Sequence, residues 1–295
     1  MATTLSNATT AAPSDPRIGT SAVEVEARTR RARHRRHVLV ITLRIALLVV
    51  FLAAWELTTR LGWIDPFFFA MPSGIADQIW AWIVEGTSQG PLWEQILVTL
   101  EETLLGFLIG AVGGVIAGVI LGRNKLLADI FSIYIKVANS VPRVVLGSVF
   151  IIALGLGMAS KVALAVVMVF FVVFANAFQG VREADRAMIA NAQILGASPM
   201  QITRYVVLPS AMSWILASLH VSFGFALVGA VVGEFLGAKK GMGLLISTAQ
   251  GSFNANGVFA AMIILAVLAL VVEFIIAQIE NRLVKWRPQP LNETH

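Results

Sequence analysis

"LGASPMQITRYVVLP", Leu195 to Pro209, is a polar and well-ordered interruption between two apolar runs. Ser198 stands where a helix N-cap would, Pro199 suits the first helical position, and Gln201, three residues after the serine, completes a capping-box pattern. The pattern predicts a helix starting at Pro199. Upstream, "READRAMIANAQIL" is rich in helix formers, and Met188, Ile189, Ala192 and Leu195 recur at spacings that give one apolar face. Gly196 separates the two helices and can turn the chain without a Cβ penalty. Pro209 is expected to end the second helix and open the next apolar span. The segment from about 181 to 209 therefore reads as a compact helix-glycine-helix knob, whereas a mere connector needs about 2 to 8 residues.

The rest of the 295-residue chain is oily: 57% hydrophobic, 13% charged, with a mean hydropathy of +0.80. A soluble domain carries roughly 25% charged residues, so this composition belongs in a bilayer. Crossing a hydrocarbon core about 30 Å thick takes about 20 apolar residues. Such runs lie at approximately Val38 to Leu57, Ile96 to Leu121, Leu127 to Leu154, Val162 to Gln179, Ser210 to Leu236 and Val258 to Ile279. The expected fold class is all-α, a polytopic membrane protein with six transmembrane helices over residues 38–286. Residues 1–37 read as a disordered basic tail and 287–295 as a short C-terminal tail. The first apolar run is longer than a signal-peptide core and lacks an A-x-A site, so it reads as an uncleaved span. The absence of cysteine removes disulfide, Cys-zinc and thiol chemistry.

Short-loop cations set orientation. With the N-terminus inside, 15 Lys and Arg fall on the cytoplasmic side, among them Arg123, Lys125, Arg182, Arg186 and Arg204, against four outside: Arg60, Lys161, Lys239 and Lys240. Both termini and the knob are thus expected in the cytoplasm. The cluster "RTRRARHRRH" before the first span fits orientation and anionic lipid headgroups, and nucleic acid is not expected as a partner.

Within the second span, Gly106, Gly110, Gly114, Gly118 and Gly122 recur every fourth residue and leave one helix side bare, a device for close helix packing in lipid. Ionisable groups inside spans are candidate pathway groups by default. Arg143 follows Pro142, a helix breaker, so it either faces a cavity that suits an anion or pairs with Glu234 or Glu102. Glu234 is itself a pathway candidate, as is His220, which reads first as a hydrogen-bonded interior residue. The four histidines have no metal-ligand spacing, and no catalytic, cofactor or metal site is expected. Trp63, Phe67, Phe68, Phe69, Trp80 and Trp82, beyond the first span, read as an interfacial belt or a half-buried amphipathic helix.

At the knob the chain resembles the inner-membrane permease subunits of bacterial ATP-binding-cassette importers, of the nitrate, sulfonate, taurine and thiamine-precursor type. Their loop has Glu-Ala-Ala, three residues, Gly, nine residues, an aliphatic, one residue, then Leu-Pro. Here nine residues separate Gly196 from Val206, and Leu208 and Pro209 follow, while Ala190 and Asn191 replace the first two positions and Ala192 keeps the third. "NSVPRVVLGSVFIIALGLGMASKVAL", "GEFLGAKKGMGLLI" and "ENRLVKW" extend the resemblance over roughly Val38 to Trp286. It implies the importer-permease (MetI-like) fold in the bacterial inner membrane, a translocation pathway for a small anionic solute, and a coupling helix that docks on a separate dimeric ATPase. The implied coupling residues are Gly196, Ala197 and Ser198 at the tip, Ala192, Leu195 and Met200 for apolar contact, and the Leu208–Pro209 frame. Implied partners are that ATPase, a second permease copy, a periplasmic or lipid-anchored substrate-binding protein and membrane lipid. No G-x-x-x-x-G-K-[ST] loop occurs in the chain, so ATP is expected to be hydrolysed on another chain. From the residues alone, a secondary transporter or channel fits the spans without explaining the knob, and a membrane enzyme fits least.

Overall fold

The computed structural model describes residues 16–283 of the chain, with side chains over 35–278 except Asn139. Every regular element among these residues is helical. Helix α1, Pro16–Arg60, belongs to a unit of its own, Met1–Trp63. Its apolar part, Arg35–Arg60, ends with Thr58 and Thr59 hydroxyls donating to the carbonyls of Ala54 and Trp55, and with Arg60 paired to Glu56 one turn back. The expected N-terminal tail lies outside the described residues to position 15 and, for its side chains, to position 34; the C-terminal tail lies outside them altogether.

The second unit, from Ile64 onward, holds the remaining helices. Short α2 (Pro66–Phe69) and α3 (Pro72–Val84) precede α4 (Leu92–Arg123), α5 (Lys125–Ser140) and α6 (Leu146–Leu154). Then come α7 (Met158–Arg182), α8 (Arg186–Ile194), α9 (Pro199–Ile202), α10 (Leu208–Leu236), α11 (Met242–Gly251) and α12 (Ala255–Leu283). Among the described residues, five helical stretches are long and apolar enough to cross a bilayer, and α5 with α6 makes a sixth if a bent pair counts as one. The third span expected over Leu127 to Leu154, broken at Pro142, is two helices with a sharp bend between them. The chain bends by 74° between Lys125–Ala138 and Arg143–Leu154. Pro142 cannot donate into a helical ladder and its ring pushes Val141 out of the helical region, to φ −74°, ψ 127°.

Helices α4 and α7 share the largest interface, and α10 packs on both. The glycine row of α4 lies along a matching row on α7: Gly106 on Ala165, Gly110 on Val169, Gly114 on Val173, Gly118 on Ala177 and Gly122 on Val181. A Cβ at Gly114 would stand 2.9 Å from the Phe170 carbonyl oxygen and 3.0 Å from the Phe174 nitrogen, too close for any side chain. Gly229 of α10 approaches the same Ala165 from another direction, at 2.7 Å from its Cα for an added Cβ. Three backbones converge on one alanine methyl. Lipid tails supply no hydrophobic drive between helices, so this van der Waals approach is what holds them.

A buried polar cluster ties α4, α7, α10 and α11 together. Glu234 is 0% exposed; it accepts a hydrogen bond from the Thr99 hydroxyl at 2.7 Å and another from the Gly243 N–H at 2.7 Å. Thr99 in turn accepts from the Met242 N–H, and Gln95 accepts from the Gly241 N–H while donating to the Gln89 carbonyl. Gly241, at φ +118°, and Gly243 have no Cβ to strike the Glu234 side chain, which is why the carboxylate can sit against this backbone. Lys161, counted above among loop cations, is 1% exposed: its ammonium donates to the carbonyls of Leu156 and Gly157, with Glu102 and Glu234 as acidic neighbours.

Two outcomes follow for thermal melting of the detergent-purified protein. Gly113 faces open space up to a ring at 3.5 Å, so Gly113→Ala should be neutral or gain up to about 1 kcal/mol of helix propensity, whereas Gly114→Ala should lose about 1–3 kcal/mol to overpacking. Glu234→Leu, which strands the Gly243 N–H and leaves the Thr99 hydroxyl only the Gln95 carbonyl as acceptor, should cost about 3 kcal/mol, and Glu234→Gln, still an acceptor, clearly less.

Candidate functional site

The knob is assembled by local hydrogen bonding. Asp185 caps α8, its Oδ1 accepting from the Ala187 N–H at 2.7 Å. The helix ends in a Schellman motif: the Ala197 N–H donates to the Ala192 carbonyl at 3.0 Å and the Gly196 N–H to the Gln193 carbonyl at 2.9 Å. Gly196 takes the left-handed conformation this closure requires, with φ +78°. Two residues later Ser198 starts α9 with both halves of a capping box, Gln201 N–H to Ser198 Oγ and Ser198 N–H to Gln201 Oε1 at 2.7 Å. One helix is closed and the next opened within six residues.

The knob is fastened to the bundle by Ile202 and Val207, buried with Ala177, Val181, Ala184, Ala211 and Ile215, and by Arg123, which donates to the Pro199 carbonyl at 3.1 Å. The apolar face read from Met188, Ile189, Ala192 and Leu195 divides. Ile189 and Ala192 pack inward against this cluster, together with Ala197 and Leu208. Leu195 (86% exposed) and Met200 (73%) point outward, with Gly196 and Ser198 also exposed at the tip. Met188 of the predicted face joins that outward surface, together with Ile194 (83%) and Tyr205, which the residue spacing did not single out, although Ile194 adjoins Leu195. Ala192 and Ala197 are thus supports of the tip rather than part of its exposed apolar surface.

Pro209 does not end a helix. Thr203–Val207 forms a wide π turn, in which the Leu208 N–H reaches back to the Thr203 carbonyl, so α9 and α10 join into a helical stretch from Pro199 to Leu236. The widened turn takes up the register that a proline would otherwise break, and Pro209 lies in the first turn of α10, where its missing N–H is tolerated.

Arg143, just after the bend between α5 and α6, is half-buried with its guanidinium 5.1 Å from the centre of the Phe171 ring on α7. Glu234 lies in the cluster already described, fully enclosed by its own chain, with Thr99 and Gly243 rather than a cavity at its carboxylate. His220 is half-buried on α10. Glu102, 3% exposed, has one carboxylate oxygen without a hydrogen-bond partner. Among the described residues no group of three His, Cys, Asp or Glu is placed to hold a metal ion.

Residues 110–285 match the family described as binding-protein-dependent transport system inner membrane component. The chain is 30% identical over 239 residues to the riboflavin transport system permease protein RibX of Chloroflexus aurantiacus, covering 81% of this chain and 88% of RibX. It is 29% identical to the putative aliphatic sulfonates transport permease protein SsuC of Bacillus subtilis, covering 81% and 85%. With the taurine transport system permease protein TauC of Escherichia coli it shares 26% identity over 83% of this chain and 90% of TauC. In fold it is similar to a chain of the MetNI methionine ABC transporter in an inward-facing conformation, with a TM-score of 0.57 and 21% identity over 64% of this chain and 95% of that one. An all-helical membrane bundle, a capped knob between its spans and a family match over most of the bundle converge, and the chain belongs to the binding-protein-dependent transport system inner membrane components, the permease subunits of ATP-binding-cassette importers.

Proposed function

We propose that this permease pairs with a second copy of itself to enclose a pathway for a small anionic solute. A cytoplasmic ATPase dimer drives it through the knob, and a substrate-binding protein outside the membrane delivers the solute. The observation that carries the reading is the knob: a tip stiffened at both ends by backbone capping, anchored in the bundle, and presenting Ile194, Leu195 and Met200 to an absent partner. A stiff tip transmits a rigid-body shift that a flexible loop would absorb. The orientation, with both termini and the knob in the cytoplasm, rests on the loop cations. The MetNI likeness in fold supports assembly with an ATPase.

For the solute, the sulfonate and taurine named for two relatives agree with a cation at the helix break. Arg143 over Phe171 would bind such an anion by charge, with the ring holding the guanidinium in place.

Leu195→Asp with Met200→Asp, at exposed sites, should leave the melting temperature unchanged and cut co-purification of the ATPase from native membranes at least tenfold. Full recovery of the ATPase, or solute uptake that persists in vesicles under an ion gradient without ATP, contradicts the coupling role. In cells relying on this permease for taurine or alkanesulfonate uptake, Arg143→Gln should lower import about tenfold, and Arg143→Lys should restore part of it, in keeping with a charge-assisted contact of about 1.5 kcal/mol.

A further inference from the structure

Beneath the knob, where α4 and α7 end, lies a crevice of about 370 Å³. Four cations from four helix ends line it: Arg123 at the end of α4, Lys125 at the start of α5, Arg182 at the end of α7 and Arg186 at the start of α8. No carboxylate of the described residues pairs with any of them. Of the nearby acids, Asp185 caps α8 and Glu183 accepts from Gln179 Nε2, while Asp129, exposed one turn along α5 from Lys125, makes no ion pair with any of the four. Arg182 rests over the Phe178 ring and Arg123 holds the Pro199 carbonyl, which leaves Lys125 and Arg186 without a neutralising partner. Like charges gathered in a concave site focus a positive potential that an anion relieves.

We propose that this crevice binds the phosphate headgroup of an anionic membrane phospholipid. Its location selects that source. Two spans end at the crevice, and α5 beside it exposes Leu126 and Ile130, an apolar path for acyl chains next to the cations. Basic pockets at the ends of spans are where anionic headgroups concentrate. A headgroup held there bridges the knob to α4, α5 and α7. The proposal takes its leaflet from the cytoplasmic placement of the knob in the preceding section, and its headgroup chemistry from the crevice alone.

Native mass spectrometry of the full chain in detergent, titrated with phosphatidylglycerol, phosphatidylcholine or inorganic phosphate, tests it. One phosphatidylglycerol per chain should be retained in preference to phosphatidylcholine. Lys125→Gln with Arg186→Gln should weaken it about thirtyfold, at about fivefold per cation removed. Gln193→Trp keeps every charge but fills the mouth from an exposed position; it should weaken binding as well, and it carries the test if the double variant does not purify. Lys239→Gln, at an exposed cation just beyond the far end of α10, should have no effect. Equal loss in that control variant, full affinity in Gln193→Trp, displacement by equimolar inorganic phosphate, or displacement of the lipid by the bound ATPase each overturns the site. Placement is read separately, since the chain has no cysteine: Asn191→Cys should react with an impermeant maleimide only after cells are opened. Labelling from outside would overturn the orientation and leave the headgroup result standing.

Discussion

Everything in the second unit depends on how closely the backbones of α4 and α7 approach. In a bilayer, helices gain nothing by hiding leucines from lipid, so association comes from shape. The glycine row removes five side chains from one helix face, and α7 answers with Ala165, Val169, Val173, Ala177 and Val181 at the same spacing. The pairing is steric and directional: a register shift of one residue would drive side chains into carbonyls. Once α4 and α7 are locked, Ala165 is the point on which α10 can close through Gly229.

That packed trio explains how a carboxylate survives in the bundle. Glu234 on α10 is brought against Thr99 on α4, and both then serve the buried backbone N–H groups at the start of α11. Unpaired N–H groups at a helix start are expensive in hydrocarbon, and here side chains from two spans satisfy them. Glu234 therefore does the work of a helix cap delivered from another helix, while Lys161 satisfies carbonyls at the start of α7.

Legibility in the sequence followed the range of each interaction. The knob was readable because its determinants are local: Ser198 and Gln201 bond each other, and Gly196 closes the turn that Ala192 began. The glycine row was readable as a packing device from its spacing, but its partner face on α7 was not, since Val and Ala every fourth residue are unremarkable in an apolar helix. Pro142 marked a break, yet nothing local encodes a bend of 74°. The inward turn of Ala192 and the outward turn of Ile194 depend on where the bundle lies beneath α8. Glu234 was noted as an ionisable group within a span, whereas its role comes from Thr99, 135 positions away. Pro209 misled because the remedy, a π turn, leaves no residue signature of its own.

That π turn has a mechanical consequence. Because it joins α9 to α10 without a break, the stretch Pro199–Leu236 is 38 residues long, a rod of about 57 Å at 1.5 Å per residue. One end carries the tip of the knob and the other carries Glu234. A tilt of about 5° at one end of such a lever displaces the other by about 5 Å, roughly one helical turn. A push on the knob would thereby reach the far side of the bundle as a movement of the group that holds α11.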